Sequence, residues 1–97
     1  MINIEFVVKY KERIRLSNVE LVDKSIEQKF GTYVAAKVRL ERLKDILKGV
    51  NYKDGEIDGY LMSVDENIYL LKQYETIVDD SNINNVIRDI QITEILN

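Results

Sequence analysis

The chain has 97 residues and a net charge of −3 at neutral pH, and it contains no His, Cys, Trp or Pro. Its length predicts one domain over residues 1–97 with one modest core. Without His or Cys, the sequence excludes Ser–His and Cys–His nucleophile pairs, a His general base and Cys/His zinc sites. No glycine-rich phosphate loop occurs either, so we expect a non-enzymatic protein that holds no cofactor.

The composition also indicates a setting for the protein. No apolar run reaches the ~20 residues that span a bilayer, and the N-terminus lacks the pattern of a signal peptide. The lack of Cys fits a reducing compartment, so we expect a cytoplasmic protein without a membrane contact. Frequent Ile, Asn and Lys are typical of AT-rich coding sequences, such as those of a low-GC bacterium, a phage or a mobile element.

The N-terminal segment alternates between apolar and polar residues. Its first even positions are all apolar: Ile2, Ile4, Phe6, Val8 and Tyr10. Period-two alternation with β-branched and aromatic residues predicts a half-buried strand. The same parity continues to Leu16, so the sequence predicts either one strand over residues 2–16 or a hairpin that turns near Lys11 and Glu12.

The middle of the chain has the strongest helical pattern. Apolar residues follow one another at steps of three and four, which is the spacing of one helix face. Ser17 and Ser25 each begin an S-x-x-E capping pattern, and Gly49 is a stop signal. The sequence therefore predicts an amphipathic helix over residues 26–48, with residue 18 as the alternative start.

The apolar stripe of this helix is compatible with two kinds of packing. Steps of three and four form the seam of a coiled coil. The same stripe is needed by a single helix that packs across a small sheet. Gly31 and the bulky Phe30 and Tyr33 disrupt a regular seam, so we favour packing across a sheet.

The second half of the chain has weaker patterns. Ser63 begins a third S-x-x-E pattern, which favours a helix over residues 64–78; the alternative is a hairpin with strands at 57–64 and 68–72. Residues 86–95 are rich in β-branched side chains, which predicts a last strand paired with the N-terminal one. The predicted fold is therefore α+β, with the long helix on a small antiparallel sheet of these two terminal segments; an all-α fold is the alternative.

One acidic segment resembles the calcium loop of EF-hand and dockerin-type modules. Gly59 takes the glycine position of the loop, and the carboxylates that fit its ligand spacing are Asp54, Glu56, Asp58 and Asp65. The resemblance implies a calcium-responsive protein. The segment departs from the pattern because Glu56 is long for its position, Asp65 is short for the last ligand and Met62 offers no oxygen. We therefore favour a charged turn in water and assign no metal.

The N-terminal segment also carries a short basic row, formed by Lys9, Lys11, Arg13 and Arg15. In one continuous strand, these odd-numbered residues share a face, and a cationic β-ribbon can bind a nucleic-acid groove. The chain as a whole is acidic, whereas nucleic-acid binders usually carry a basic domain or stripe. A solvated strand face is therefore the favoured interpretation, and nucleic-acid binding is an alternative function.

The sequence favours protein binding as the function. Six Tyr residues in a chain of this size are many, and Tyr is enriched at protein interfaces. Open sheet edges also favour homodimers, through strand pairing or helix packing. We therefore expect a small protein-binding module, such as a regulator, an inhibitor or an assembly component, whose partner is another protein or a second copy.

Overall fold

The computed structural model describes residues 4–17, 20–49, 59–71 and 76–96. Along the chain these residues form strands β1 (Glu5–Arg15) and β2 (Leu21–Phe30), helix α1 (Tyr33–Leu47), strands β3 (Tyr60–Leu71) and β4 (Thr76–Val78), and helix α2 (Ile83–Leu96). The predicted α+β class is confirmed, and the all-α alternative is not supported. Within these ranges, neither helix is long and apolar enough to cross a membrane.

The described strands form one antiparallel sheet in the order β2-β1-β3-β4. The predicted N-terminal strand is confirmed over Glu5–Arg15, and the alternative turn near Lys11 and Glu12 is wrong. The chain reverses later, where the N–H of Leu16 donates a hydrogen bond of 3.0 Å to the carbonyl oxygen of Glu20. β1 is thus a central strand, with β2 on one side and β3 on the other.

The predicted helix begins later than its pattern indicated. Residues 21–30 form strand β2, and α1 starts at Tyr33 after the Thr32 side chain accepts a hydrogen bond from the Ala35 N–H. The half-buried apolar residues of β2 are spaced four apart, at Val22, Ile26 and Phe30, and that spacing fits both a helix face and one face of a strand. Pairing with β1 decides between the two.

The end of α1 and its packing agree with the sequence. The helix stops at Leu47, and Gly49 follows with a φ of 77°, a left-handed conformation that favours glycine. Its buried residues contact the sheet, as expected for a helix packed across strands: Ala36, Leu40, Leu43 and Ile46. The N-terminal half of β1 supplies the centre of this core, through Phe6, Val8 and Tyr10.

The predicted helix over residues 64–78 is wrong, because this part of the chain forms β3 and β4 in its described residues. The register between β1 and β3 shifts twice, between Val8 and Tyr10 and again between Lys11 and Glu12. The second shift is by one residue, from Lys11 opposite Ser63 to Glu12 opposite Leu61, and such a shift moves the following side chains to the other face of the strand. The sequence of β3 therefore lacks the regular alternation that identifies a strand.

The predicted C-terminal strand over residues 86–95 is also wrong, because this segment lies in α2. The carboxylate of Asp79 accepts hydrogen bonds from the N–H groups of Ser81 at 2.8 Å and Asn82 at 3.0 Å, which forms the turn before the helix. Four partly buried residues of α2 then pack against the core at helical spacing: Ile83, Val86, Ile87 and Ile90. Burial of this face outweighs the strand preference of β-branched residues.

Gly59 lies directly against the backbone of β1. A Cβ atom at this position would lie 2.3 Å from the carbonyl oxygen of Arg13 and 2.8 Å from the side chain of Ile14. The N–H of Gly59 donates a hydrogen bond of 3.3 Å to the carboxylate of Glu12. The start of β3 therefore approaches β1 so closely that only glycine fits without displacing the backbone.

We expect Gly59→Ala to lower the free energy of unfolding by about 1–3 kcal/mol, the usual cost of forcing extra atoms into a packed site. Chemical denaturation followed by circular dichroism measures the change. Gly31→Ala is the matched control, because a Cβ atom there meets nothing within 4 Å. Equal denaturation midpoints for the two variants would contradict the close approach at Gly59.

Candidate interaction surface

Strand β2 forms one edge of the described sheet. It pairs with β1 without a register shift from Phe6 opposite Phe30 to Arg15 opposite Leu21. Its other side pairs with no described strand. β2 is ten residues long; on the opposite side of the sheet, β4 has three residues and leaves residues 60–67 of β3 without a described partner strand. A long, regular edge presents unpaired backbone N–H and C=O groups that another strand can bind.

The hydrogen-bond pattern indicates which residues of β2 present these groups. Leu16 and Glu20 form a hydrogen-bonded pair, and such pairs alternate along an antiparallel ladder. Even-numbered residues of β2 therefore direct their backbone groups towards β1. Odd-numbered residues direct theirs to the open edge: Leu21, Asp23, Ser25, Glu27 and Lys29.

The two faces of β2 carry different side chains. Even-numbered positions share the face on which α1 packs, and Val22, Ile26 and Phe30 are half-buried there. Arg39 of α1 donates a hydrogen bond of 2.8 Å to the side-chain oxygen of Gln28 on this face. α1 thus covers the inner face of β2 only in part, which leaves an apolar stripe partly accessible beside the open edge.

The outer face of β2 neutralises much of the basic row on β1. The Arg13 guanidinium lies 2.7 Å from a carboxylate oxygen of Asp23, and the Lys9 ammonium lies 3.9 Å from Glu27. The hydrogen bond from Arg13 lowers the pKa of the Asp23 carboxyl, and the same contact raises the pKa of Arg13. Lys9 also lies 4.3 Å from the centre of the Tyr69 ring.

The remaining members of the basic row face β2 without an acidic residue directly opposite. Lys11 is opposite Ser25 and Arg15 is opposite Leu21. The structure therefore brings the row onto one face, as the sequence predicted, but interleaves it with carboxylates from the neighbouring strand. A mixed-charge face is poorly suited to following a phosphate backbone, whose binding depends on accumulated positive charge.

Only part of the acidic segment that resembles a calcium loop lies within the described residues. Asp54, Glu56 and Asp58 lie outside the described residues. Asp65 lies within β3, where its carboxylate accepts hydrogen bonds from the Tyr69 hydroxyl at 2.6 Å and the Asn67 N–H at 2.9 Å. The hydrogen bond to Asp65 raises the pKa of Tyr69. The helix that follows an EF-hand loop is replaced here by strand β3.

The sequence patterns do not identify one buried carboxylate. Glu12 is only 1% exposed, on the inner face of β1 opposite Leu61 of β3 and Lys24 of β2. The one signal in the sequence is its position. Glu12 is a polar residue at an even-numbered place of β1, where the alternation directs side chains inward. Its contact with the Gly59 N–H indicates a structural role at the start of β3.

A polar cluster joins α1 to the turn before α2. The Tyr33 hydroxyl donates a hydrogen bond of 2.7 Å to the carboxylate of Asp80, and Lys37 forms an ion pair with the same carboxylate. The cluster lines an open cleft of about 450 Å³, whose wall also includes Lys44 and Glu66. Tyr33 and Lys37 of α1 both bind the carboxylate of Asp80, so the three polar groups have partners within the cluster. The cluster links α1 to the turn before α2, and we call it the Tyr33 brace.

Among the described residues, no group of three or more His, Cys, Asp or Glu side chains is arranged to hold a metal ion. Comparison with protein-family models, curated proteins and solved structures finds no match to this chain. Among the described residues, β2 has the longest run of strand residues whose one side pairs with no described strand.

The Tyr33 brace has a testable pH dependence. Burial raises the pKa of Tyr33 to about 12, and the hydrogen bond to Asp80 contributes to the increase. In the unfolded chain a tyrosine ionises near pH ~10, so the folded state holds this proton more tightly. The stabilisation is complete below about pH 10 and is lost as the pH rises towards the folded pKa.

We therefore expect the difference in unfolding free energy between the natural chain and Tyr33→Phe to shrink between about pH 10 and pH 12. Urea denaturation at several pH values measures it. Tyr60→Phe is the matched control, because the Tyr60 side chain is 73% exposed. If the difference in unfolding free energy between the natural chain and Tyr33→Phe stayed constant across this range, the raised pKa of Tyr33 would be contradicted.

Proposed function

We propose that this chain is a non-enzymatic protein-binding module that binds its partner by strand addition along β2. The observation that carries the proposal is the ten-residue edge, which has backbone groups directed outwards at every odd-numbered position. An added strand gains main-chain hydrogen bonds along the whole edge, and the flanking side chains select which strand binds. The lack of Cys in the sequence favours a reducing, cytoplasmic setting for this activity.

The sequence of β2 supports a binding edge. Natural sheets commonly protect an exposed edge with Pro, bulges, very short strands or charged side chains, especially Lys. β2 contains neither Pro nor Gly, and its pairing with β1 has no bulge. Its charged residues include both signs, with Asp23 and Glu27 against Lys24 and Lys29. Such an edge repels strands of the wrong charge pattern and accepts a complementary one.

Both faces of the edge add selectivity. The half-buried Val22, Ile26 and Phe30 offer apolar contacts on the inner face. The ion pairs of Arg13 with Asp23 and Glu5 with Lys29 fix charged groups on the outer face. A partner strand therefore needs apolar residues on one face and alternating charge on the other.

The substitution Ser25→Pro tests the proposal. Ser25 is exposed and its N–H points to the open edge, so Pro removes an outward donor without removing a hydrogen bond to β1. Ser25→Ala keeps the N–H and is the matched control. Peptides selected from a random display library for binding to the natural chain provide the probe.

We expect the selected peptides to bind Ser25→Ala with unchanged affinity and to lose at least about tenfold in affinity for Ser25→Pro, because one added-strand hydrogen bond and its neighbours are lost. Titration of fluorescent peptides measures both affinities, and circular dichroism checks that the variants fold. Equal binding of the selected peptides to the two variants would contradict strand addition at β2.

A further inference from the structure

We propose that the partner at the β2 edge is a second copy of this chain, paired antiparallel about a two-fold axis at Ile26. This inference rests on the proposed function, because it uses the same open edge. Two copies joined in this way share one continuous sheet, in which the two β2 strands lie at the centre. The two α1 helices then pack on the same face of that sheet.

The geometry of an antiparallel pair restricts the possible registers. Residues directly opposite each other lie on the same face of a continuous sheet. Odd-numbered residues of β2 present their backbone groups to the open edge, so they must face odd-numbered residues of the second copy. A two-fold axis therefore passes through one residue of β2, and the central choices are residues 24, 25, 26 and 27.

Charge excludes three of these four centres. An axis at Lys24 places two lysines opposite each other, and an axis at Glu27 places two glutamates opposite each other. An axis at Ser25 places Asp23 opposite Glu27 of the second copy, twice by symmetry. Like charges directly opposite are unfavourable in a sheet.

The axis at Ile26 brings together complementary residues throughout. On the outer face, Asp23 lies opposite Lys29 of the second copy, twice by symmetry. The side chains of Asp23 and Lys29 are 44% and 58% exposed, so both remain accessible to a second partner. These contacts extend the existing pairs with Arg13 and Glu5 into one network across the junction.

The inner face agrees with the same register. Ile26 lies opposite its own copy, and Val22 lies opposite Phe30 of the second copy. All three are half-buried, and Ile26 and Phe30 pack against the core that α1 covers. The dimer joins the two apolar stripes into one patch. Lys24 lies opposite Gln28, which is a neutral hydrogen-bonding neighbour. The apolar residues of the inner face are thus compatible with the register that charge selects.

Disulfide crosslinking tests this register, because the natural chain contains no Cys. At the axis, Ile26 forms a non-hydrogen-bonded pair with its copy, and the Cα atoms of such a pair lie about 4.5 Å apart. That separation is within the range of disulfides. Lys24→Cys is the control, because this register separates the two cysteines by four residues, or about 13 Å along the strand.

We expect Ile26→Cys to form a disulfide-linked dimer under mild oxidation at least about tenfold faster than Lys24→Cys, because paired thiols have a high effective concentration. Denaturant should abolish the difference. Non-reducing electrophoresis measures the rates, and circular dichroism checks both folds. Equal rates for the two variants, or faster crosslinking of Lys24→Cys, would overturn the register.

Charge reversal provides a test that a change in folding cannot imitate. Asp23→Lys and Lys29→Asp each place like charges opposite each other in the homodimer, so we expect each variant alone to sediment as a monomer. In a heterodimer of the two variants, the introduced lysine faces the introduced aspartate, and the unchanged Lys29 faces the unchanged Asp23. We therefore expect heterodimers in the mixture, and two variants that remain monomeric when mixed would overturn the proposal.

These outcomes separate the dimer from the proposed function. A natural chain that stays monomeric at millimolar concentration overturns the dimer. If its selected peptides still lose affinity on Ser25→Pro, strand addition at β2 stands with a different partner. A dimer that persists in Ser25→Pro overturns this inference, because it forms through another surface.

Discussion

The pairing of β1 on both of its sides is the constraint on which the rest of the structure depends. β1 is paired with β2 over ten residues and with β3 along its other side. Its inner face carries Phe6, Val8 and Tyr10, against which α1 packs. Because β1 occupies the centre, β2 is left with one paired side and one open side. The candidate site is therefore a consequence of the way the core is built.

The position of the core makes this edge useful for binding. The buried residues of α1 lie with those of β1 and β3, while β2 is covered only in part. β2 is held in register by β1 and by ion pairs such as Arg13 with Asp23, so its open backbone groups need no ordering before a partner binds. A preorganised edge loses less conformational entropy on association than a flexible segment.

The parts of the fold that the sequence predicts are those in which one periodicity dominates. β1 alternates without interruption, and α1 ends before Gly49 as its pattern indicates. The pattern of β2 also fits a helix because its half-buried apolar residues are four apart, and that spacing suits both structures. The bulges of β3 conceal its alternation, and the β-branched residues of α2 conceal helical spacing at Ile83, Val86, Ile87 and Ile90. In each case a tertiary contact decides the outcome.

The sequence predicts that the sheet has an open edge, but it does not predict which strand forms that edge. The predicted helix over residues 26–48 includes the last five residues of β2. The basic row at Lys9 and Arg13 was found correctly, but its neutralisation depends on a strand opposite it. A useful signal is present in the sequence: residues 21–30 place charges of opposite sign to those of residues 5–15 when the two segments are aligned as a hairpin.

Amide hydrogen exchange along β2, measured by NMR at low and high protein concentration, tests the central claim most directly. In the dilute protein, we predict protected amides at even-numbered residues, which bond to β1, and fast exchange at Asp23, Ser25, Glu27 and Lys29. At high concentration the odd-numbered amides should gain protection while the even-numbered ones stay unchanged. Odd-numbered amides that are already protected in the dilute protein, or that never gain protection, would contradict the account.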